Sequence, residues 1–362
     1  MTLNSKYLKH PTVPFRIKKG KTASDILGDM LSTGFQGKAL GEAFAIWKEM
    51  LKQKNISIWL GISGAIIPAG MRRIIAYLIE KRFVDVVVST GAQVFHDAAE
   101  AIGVVHYKGS PMMDDKHLLK EGIDRFYDVL VQEEKQRQVD RKIQSFIETL
   151  NPEYQYSSRE FLYLLGWYLN KTAKHKDSFL IQAAKAGVPV FAPALSDSSI
   201  GYSFVMARRG IQDAKGGKAF SGTGKRDFRY IDQMKDIDET VQIAECAKKT
   251  GVIYFGGGVP KNFIQQTELL NLILGNKLPG HEYAIQLTTD NPQFGGLSGC
   301  TFSEAQSWGK IAGNAKTVQC FCDITIGLPI LAQGLCEVET LANKRKKPDY
   351  DWSGEHLKLK YR

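Results

Sequence analysis

The sequence predicts an α/β fold, a doubly wound and mostly parallel sheet with helices on both faces. Short apolar runs recur at 56–61, 84–91, 188–194, 252–258, 283–290 and 317–323. Most end in small or polar residues, and stretches with helical spacing lie between them. Continuous apolar strands that alternate with helices describe a parallel sheet buried on both sides.

Taken in order, Ile56-Ser57-Ile58-Trp59-Leu60-Gly61 reads as a buried strand closed by glycine. From Pro68 to Ile79 apolar residues return every three or four positions, as on one face of a helix. The run Val84 to Gly91 is a second strand ending in a small-residue turn. The segment 131–160 is strongly polar around Gln132, Glu133, Glu134, Lys135, Gln136 and Arg137, and reads as an excursion or a long exposed helix. The four later runs supply the remaining strands. No Pro/Ser-rich linker and no internal repeat divides the chain. The expected organisation is a basic N-terminal tail or lid over 1–25, one catalytic domain over 26–340, and a basic C-terminal tail over 341–362.

Composition narrows the function classes. With 43% hydrophobic and 24% charged residues in 362, the chain is not a mostly disordered one. Lys and Arg number 48 against 38 Asp and Glu, a formal charge of +10. The excess gathers at Lys18-Lys19-Gly20-Lys21 and Lys344-Arg345-Lys346-Lys347, which read as solvated ends and not as a nucleic-acid surface. No uninterrupted apolar window of about 18 residues exists to span a membrane. The first residues lack the apolar stretch of a secretory signal. These features predict a cytoplasmic protein without nucleic-acid or membrane partners. Five cysteines, odd in number and never spaced C-x-x-C, exclude a disulfide framework and a zinc ribbon, so no metal site is expected.

In an open parallel sheet, ligands bind beyond the carboxyl ends of the strands. Here those ends are small and polar: Gly61 to Gly64, Ser89 to Ala92, Ser196 to Ser199, Gly256 to Gly258 and Thr288 to Asp290. Such residues let backbone N–H groups approach phosphate oxygens. Plain turn chemistry accounts for the same glycines, and G-x-G-x-x-G is absent. The densest cluster runs from Phe294 through Gly295, Gly296, Leu297, Ser298, Gly299 and Cys300 to Ser303, Glu304, Trp308 and Lys310. Ser303 is positioned to cap a short helix with Glu304 in its first turn. Lys310 beside Trp308 reads either as a desolvated, nucleophilic amine or as a surface lysine closing that helix. Cys300, Cys320 and Cys322 read as small core residues.

These segments resemble the deoxyhypusine synthase family. Ser307-Trp308-Gly309-Lys310-Ile311 is similar to the family's active-site lysine segment. Pro193 to Gly201 resembles its P-A-L-T-D-G-S-L-G segment, Gly256 to Lys261 its G-G-G-V-x-K segment, and Val87 to Ala92 its strand-end T-T-A-G. The matches keep their order from about residue 40 to 335.

The resemblance implies an NAD-dependent transferase. Such enzymes oxidise spermidine, hold its 4-aminobutyl group as an imine on the lysine, and pass it to an acceptor amine. By resemblance Lys310 is the nucleophile, Trp308 lines the aliphatic channel and Glu304 meets a substrate ammonium. NAD contacts fall on Gly64, Ala65, Pro68, Thr90, Gly91, Ala92, Asp197, Gly257, Thr289, Asp290, Asp323 and Ile324. The amine site takes in His96, Tyr202, Asn262, Gly295, Gly296 and Leu297. A homotetramer with sites at subunit interfaces is implied as well.

The chain also departs from that pattern. His96, Tyr202 and Leu297 stand where the family places polyamine-binding acids, Phe294 where another acid is usual, and Asn262 where His is usual. Removing one partner from a buried ion pair costs about 3–5 kcal/mol. The expected reaction therefore keeps the lysine chemistry with a rebuilt amine shell. A small acceptor such as putrescine or agmatine, giving homospermidine-type synthesis, is favoured over a translation-factor lysine. A non-catalytic NAD-binding protein is the remaining alternative.

Overall fold

The computed structural model describes residues 8–210, 229–276, 278–354 and 356–362. Its strands are β1 (Ile56–Ile62), β2 (Val86–Ser89), β3 (Tyr107–Lys108), β4 (Ile123–Phe126), β5 (Val129–Gln132), β6 (Val190–Phe191), β7 (Lys249–Phe255), β8 (His281–Thr288), β9 (Ile311–Phe321), β10 (Pro348–Asp351) and β11 (Lys358–Tyr361). Six of them form one sheet in the order β6-β2-β1-β7-β8-β9, and every neighbouring pair is parallel. Numbered within the sheet alone, this is the doubly wound order 3-2-1-4-5-6, whose switch point lies between β1 and β7. All six correspond to apolar runs expected as strands.

Strand side chains alternate between two cores, as the pleat requires. Ile58, Leu60, Ile253, Phe255 and Ile285 face a core shared with Phe44 and Trp47 of the helix Phe35–Lys52. Trp59, Val86, Val88, Val252, Tyr254 and Ala284 face the opposite core with Ile264. Both sheet faces are buried in this way, which is why the strands read as continuous apolar runs and not as alternating ones.

Two expectations are corrected. The polar segment 131–160 does hold a long helix, Glu133–Glu148, but Val139, Ile143, Phe146 and Ile147 are buried against the body of the domain. Its charges occupy one face only, the amphipathic pattern of a packed helix. A small antiparallel sheet, β3-β5-β4, precedes it.

The C-terminal stretch is no tail. β10 and β11 form an antiparallel hairpin, and Leu357 joins the second core. Arg345, from the basic run, has a fully buried side chain that meets Asp85 through two bonds of 2.8 Å. A guanidinium that finds a buried carboxylate is pulled inward, and a charge count along the chain does not register this. Of the N-terminal segment, residues 1–7 lie outside the described residues, while 8–20 are exposed and carry no helix or strand.

Candidate active site

All twelve candidate cofactor residues follow the carboxyl ends of the six sheet strands. Gly64, Ala65 and Pro68 follow β1, and Thr90, Gly91 and Ala92 follow β2. Asp197 follows β6, Gly257 follows β7, Thr289 and Asp290 follow β8, and Asp323 and Ile324 follow β9. At the switch point the strand ends are stitched together. Ser63 Oγ accepts the N–H of Gly257 at 2.8 Å, and Ser298 Oγ accepts that of Gly258 at 2.9 Å. A side chain at Gly257 would come within 2.4 Å of Ser298 Cα, so glycine is required for this approach. At Gly91 a Cβ would meet Ser198 Oγ at 2.5 Å, so glycine lets the Asp197 turn close on the start of the helix Gly91–Ile102.

This edge fits a dinucleotide. Gly64 and Gly258 adopt φ of +78° and +55° with open space where a Cβ would stand, leaving their backbones accessible. The helices Gly91–Ile102, Gly258–Ile273 and Ile324–Glu337 start here, and their N-termini favour phosphate charge. The exposed carboxylates of Asp197, Asp290 and Asp323 are suited to accept ribose hydroxyls.

A cleft of about 200 Å³ lies beside the first turns of Gly258–Ile273. Its walls bring together Lys310, Trp308, Glu304, Asn262, Leu297, Gly295 and Gly296, seven of the nine residues expected to carry out the amine chemistry. Lys310 sits just before β9, half-buried, with its carbonyl accepting the N–H of His281 at 3.1 Å. Its ammonium stands 5.4 Å from the Trp308 ring centroid. The short helix Phe302–Ser307 carries Glu304 in its first turn as expected, but the cap is Thr301 and not Ser303. Thr301 Oγ1 accepts the N–H of Glu304 at 3.0 Å.

His96 and Tyr202 stand apart from this cleft. His96 is buried on the helix after β2, its ring 4.9 Å from that of Phe126 and 5.5 Å from that of His106. Burial, with the neighbouring His106, pushes its pKa down to about 4. Tyr202 is exposed on the helix Ser199–Arg209 after β6. Three strands separate β2 from β9, roughly 19 Å at the usual strand spacing. Phe294 is exposed and does not line the cleft.

The deeply buried lysine of the cleft is Lys261, at 1% exposure. Its ammonium donates to Cys300 O at 2.6 Å and Gln286 Oε1 at 2.9 Å. Gln319 donates to the same Gln286 oxygen at 2.8 Å and to Cys300 O at 3.2 Å. Burial pushes the pKa of Lys261 down to about 8, and the charge of Lys310 adds to the effect. In the sequence Lys261 stands only as the close of the glycine motif Gly256 to Lys261. Its helical position three residues after Gly258 was the available signal that it points back under the sheet end.

Among the described residues no cluster of three or more His, Cys, Asp or Glu is arranged to hold a metal, and no helix is long and apolar enough to cross a membrane.

The family model for deoxyhypusine synthase matches residues 25–335. A Methanosarcina mazei protein named "Probable deoxyhypusine synthase 2" is 50% identical over 97% of both chains. The "Probable deoxyhypusine synthase 1" of the same organism is 36% identical over 94% of this chain and 98% of its own. The crystal structure of an Entamoeba histolytica protein, described as a candidate deoxyhypusine synthase, gives a TM-score of 0.59 over 90% of this chain and 96% of that one. At 17% identity this likeness speaks for the fold. The chain belongs to the deoxyhypusine synthase family.

Proposed function

We propose that the protein is an NAD-dependent 4-aminobutyl transferase that works through a lysine imine and delivers the group to a small amine, in homospermidine-type synthesis. The observation that carries the acceptor reading is the charge of the cleft. Two lysines line it, and Glu304 is the single carboxylate among its lining residues. A polyamine with several ammonium groups needs several carboxylates, because each buried charge left unpaired is costly. This wall suits a shorter amine held at one end.

Lys310 is the nucleophile in this reading. Its amine takes up the oxidised carbon of the donor as an imine, releasing the donor's other amine fragment. The acceptor amine then displaces Lys310. NAD, when bound, accepts hydride from the donor carbon and returns it to the product imine. Trp308, half exposed, offers its ring as an apolar wall for the aliphatic chain, and Glu304 pairs with the ammonium of the bound amine. Lys261 fixes the 298–300 backbone between the cofactor edge and the cleft.

The separation of His96 and Tyr202 from Lys310 supports a homo-oligomer in which two copies complete one site. The greater similarity to the Methanosarcina mazei protein named synthase 2, at 50% against 36% for the one named synthase 1, supports a role distinct from the latter. The names of both relatives favour a second reading, with a translation-factor lysine as acceptor.

The test is incubation of purified protein with NAD, labelled spermidine or putrescine, and each acceptor, followed by borohydride. A labelled adduct on the wild type but not on Lys310→Arg, with a new labelled triamine, is the expected result. Label on the translation factor would establish the second reading. No adduct with any amine would leave an NAD-binding protein without transferase activity.

A further inference from the structure

β9 ends in a tight turn that places two cysteines side by side. Cys322 N–H donates to Cys320 O at 3.1 Å, a bond between residues only two apart. In an extended strand residues two apart share a face but stand about 6.6 Å from each other, whereas this turn leaves the two sulfurs 3.6 Å apart. Gln36 braces the turn from the helix Phe35–Lys52. Its side-chain oxygen accepts the Phe321 N–H at 2.6 Å, and its carbonyl lies 3.7 Å from Cys320 Sγ. Opposite, a Cβ at Gly327 would come within 2.8 Å of Cys322 Sγ, so the glycine makes room for that sulfur over the first turn of Ile324–Glu337. Cys320 is buried and Cys322 half-buried, and both are free thiols.

We infer that Cys320 and Cys322 form a peroxide-reactive dithiol, an oxidative modification site at the carboxyl edge beside Asp323 and Ile324. Cys322 is the attacking sulfur because it is the more accessible. The hydrogen bond from the Cys320 thiol holds the Cys322 thiol below its ordinary value, which favours the thiolate. The Cys322 thiolate attacks one oxygen of hydrogen peroxide, the O–O bond breaks, and hydroxide leaves with the electron pair. The Cys320 sulfur then attacks the sulfenic sulfur. An S–S bond forms, and the hydroxyl leaves as water with the Cys320 proton. Two thiols are oxidised by two electrons, and one peroxide is reduced to two waters. Closure brings the sulfurs to about 2.05 Å and so pulls on the residue next to the Asp323 cap. The inference stands on the sulfur geometry and is read without cofactor or activity, so it and the transferase reading fail separately.

The experiment treats reduced, full-length protein with hydrogen peroxide, caps remaining thiols with N-ethylmaleimide, and weighs the tryptic peptides. The peptide 317–344 also contains Cys336, which serves as an internal control. The expected wild-type peptide is lighter by about 2 Da and carries one maleimide in place of three. Cys322→Ser should show no such loss. Folded protein should close the pair at least roughly tenfold faster than chain unfolded in guanidinium, because the fold sets the geometry. Three maleimides on the oxidised wild type, survival of the mass loss in Cys322→Ser, or equal rates in folded and unfolded protein would each overturn the inference.

Discussion

Lys261 Nζ donates to the main-chain carbonyl of Cys300 across 2.6 Å, so a buried cation ties the central helix to the loop that walls the candidate cleft. Each acceptor that the structure gives this ammonium, Cys300 O, Gln286 Oε1 and Ser298 O, is neutral. Such an arrangement holds the loop in place yet disfavours the charged form of the lysine, and the two effects have separate signatures in pH.

The folded pKa of Lys261 is about 8 against an ordinary value of 10.5. Between those values the unfolded chain binds a proton that the folded protein does not, so stability rises with pH across that window. Below pH 8 both states hold the proton and the full penalty applies. Wild type should therefore gain about 3 kcal/mol relative to Lys261→Met between pH 8 and 10.5, at 1.36 kcal/mol per unit. Urea unfolding of both proteins across that range measures the difference, and parallel curves would remove the buried ammonium from the account.

The acceptor reading makes a specific demand on Leu297, which lines the cleft and is half exposed. A carboxylate there can reach a substrate ammonium without being buried alone. Leu297→Asp should raise kcat/KM for spermidine relative to putrescine by about fivefold, the equivalent of about 1 kcal/mol from a partly exposed ion pair. Competition assays with both labelled amines read the ratio. His96 offers no such change, because it is enclosed by Phe126 and His106 and a carboxylate in its place would be desolvated.

A second buried pair lies under Lys310. His281, whose N–H holds the Lys310 carbonyl, places Nδ1 3.2 Å from Glu268 Oε1 and 2.9 Å from Thr250 Oγ1. Burial pushes Glu268 up to about 7 and His281 down to about 3. The folded protein keeps the Glu268 proton that the unfolded chain loses from about pH 4.5 upward, so this group's contribution falls as pH rises towards 7. Glu268→Gln keeps the shape and lacks the titration. From pH 4.5 to 8 wild type should lose about 3 kcal/mol relative to the variant, measured by urea unfolding.

The sheet is legible because β1, β2, β6, β7 and β8 are short buried apolar runs followed by small or polar residues, whereas the edge strand β9 is longer, exposed at Gly313, Asn314, Lys316 and Thr317, and shows in sequence only through its last part. The candidate cofactor edge is legible as well, since a parallel sheet presents its loops at one end. Seven of the candidate amine-site residues line one cleft, and six of them come from the single stretch 295–310. Lys261 and Arg345 were not legible. A lysine in a helix and an arginine in a basic run look solvated until the tertiary fold supplies Gln286 and Asp85. Nor can spacing within one chain bring His96 or Tyr202 to Lys310, because β1, β7 and β8 stand between them.

Arg345 gives the sharpest test of the C-terminal hairpin. Burial alone would raise the Asp85 carboxyl, but the charges of Arg345 and Arg82 outweigh it and hold it below the usual carboxylate range. The carboxylate also accepts the Ile58 N–H at 2.9 Å, so the pair fastens β1, the β2 approach and the C-terminal segment at one point. Arg345→Met leaves Asp85 buried with one charged partner fewer and should cost about 3–5 kcal/mol. A depressed carboxyl contributes stability that is present above its unfolded value and lost as pH falls through the folded one. The gap between wild type and Arg345→Met should accordingly be full at pH 7 and narrow under acid. Thermal unfolding at pH 7 and pH 3 reads both. A variant as stable as wild type at pH 7 would show that the hairpin is held by Leu357 and Tyr350 packing and not by this ion pair.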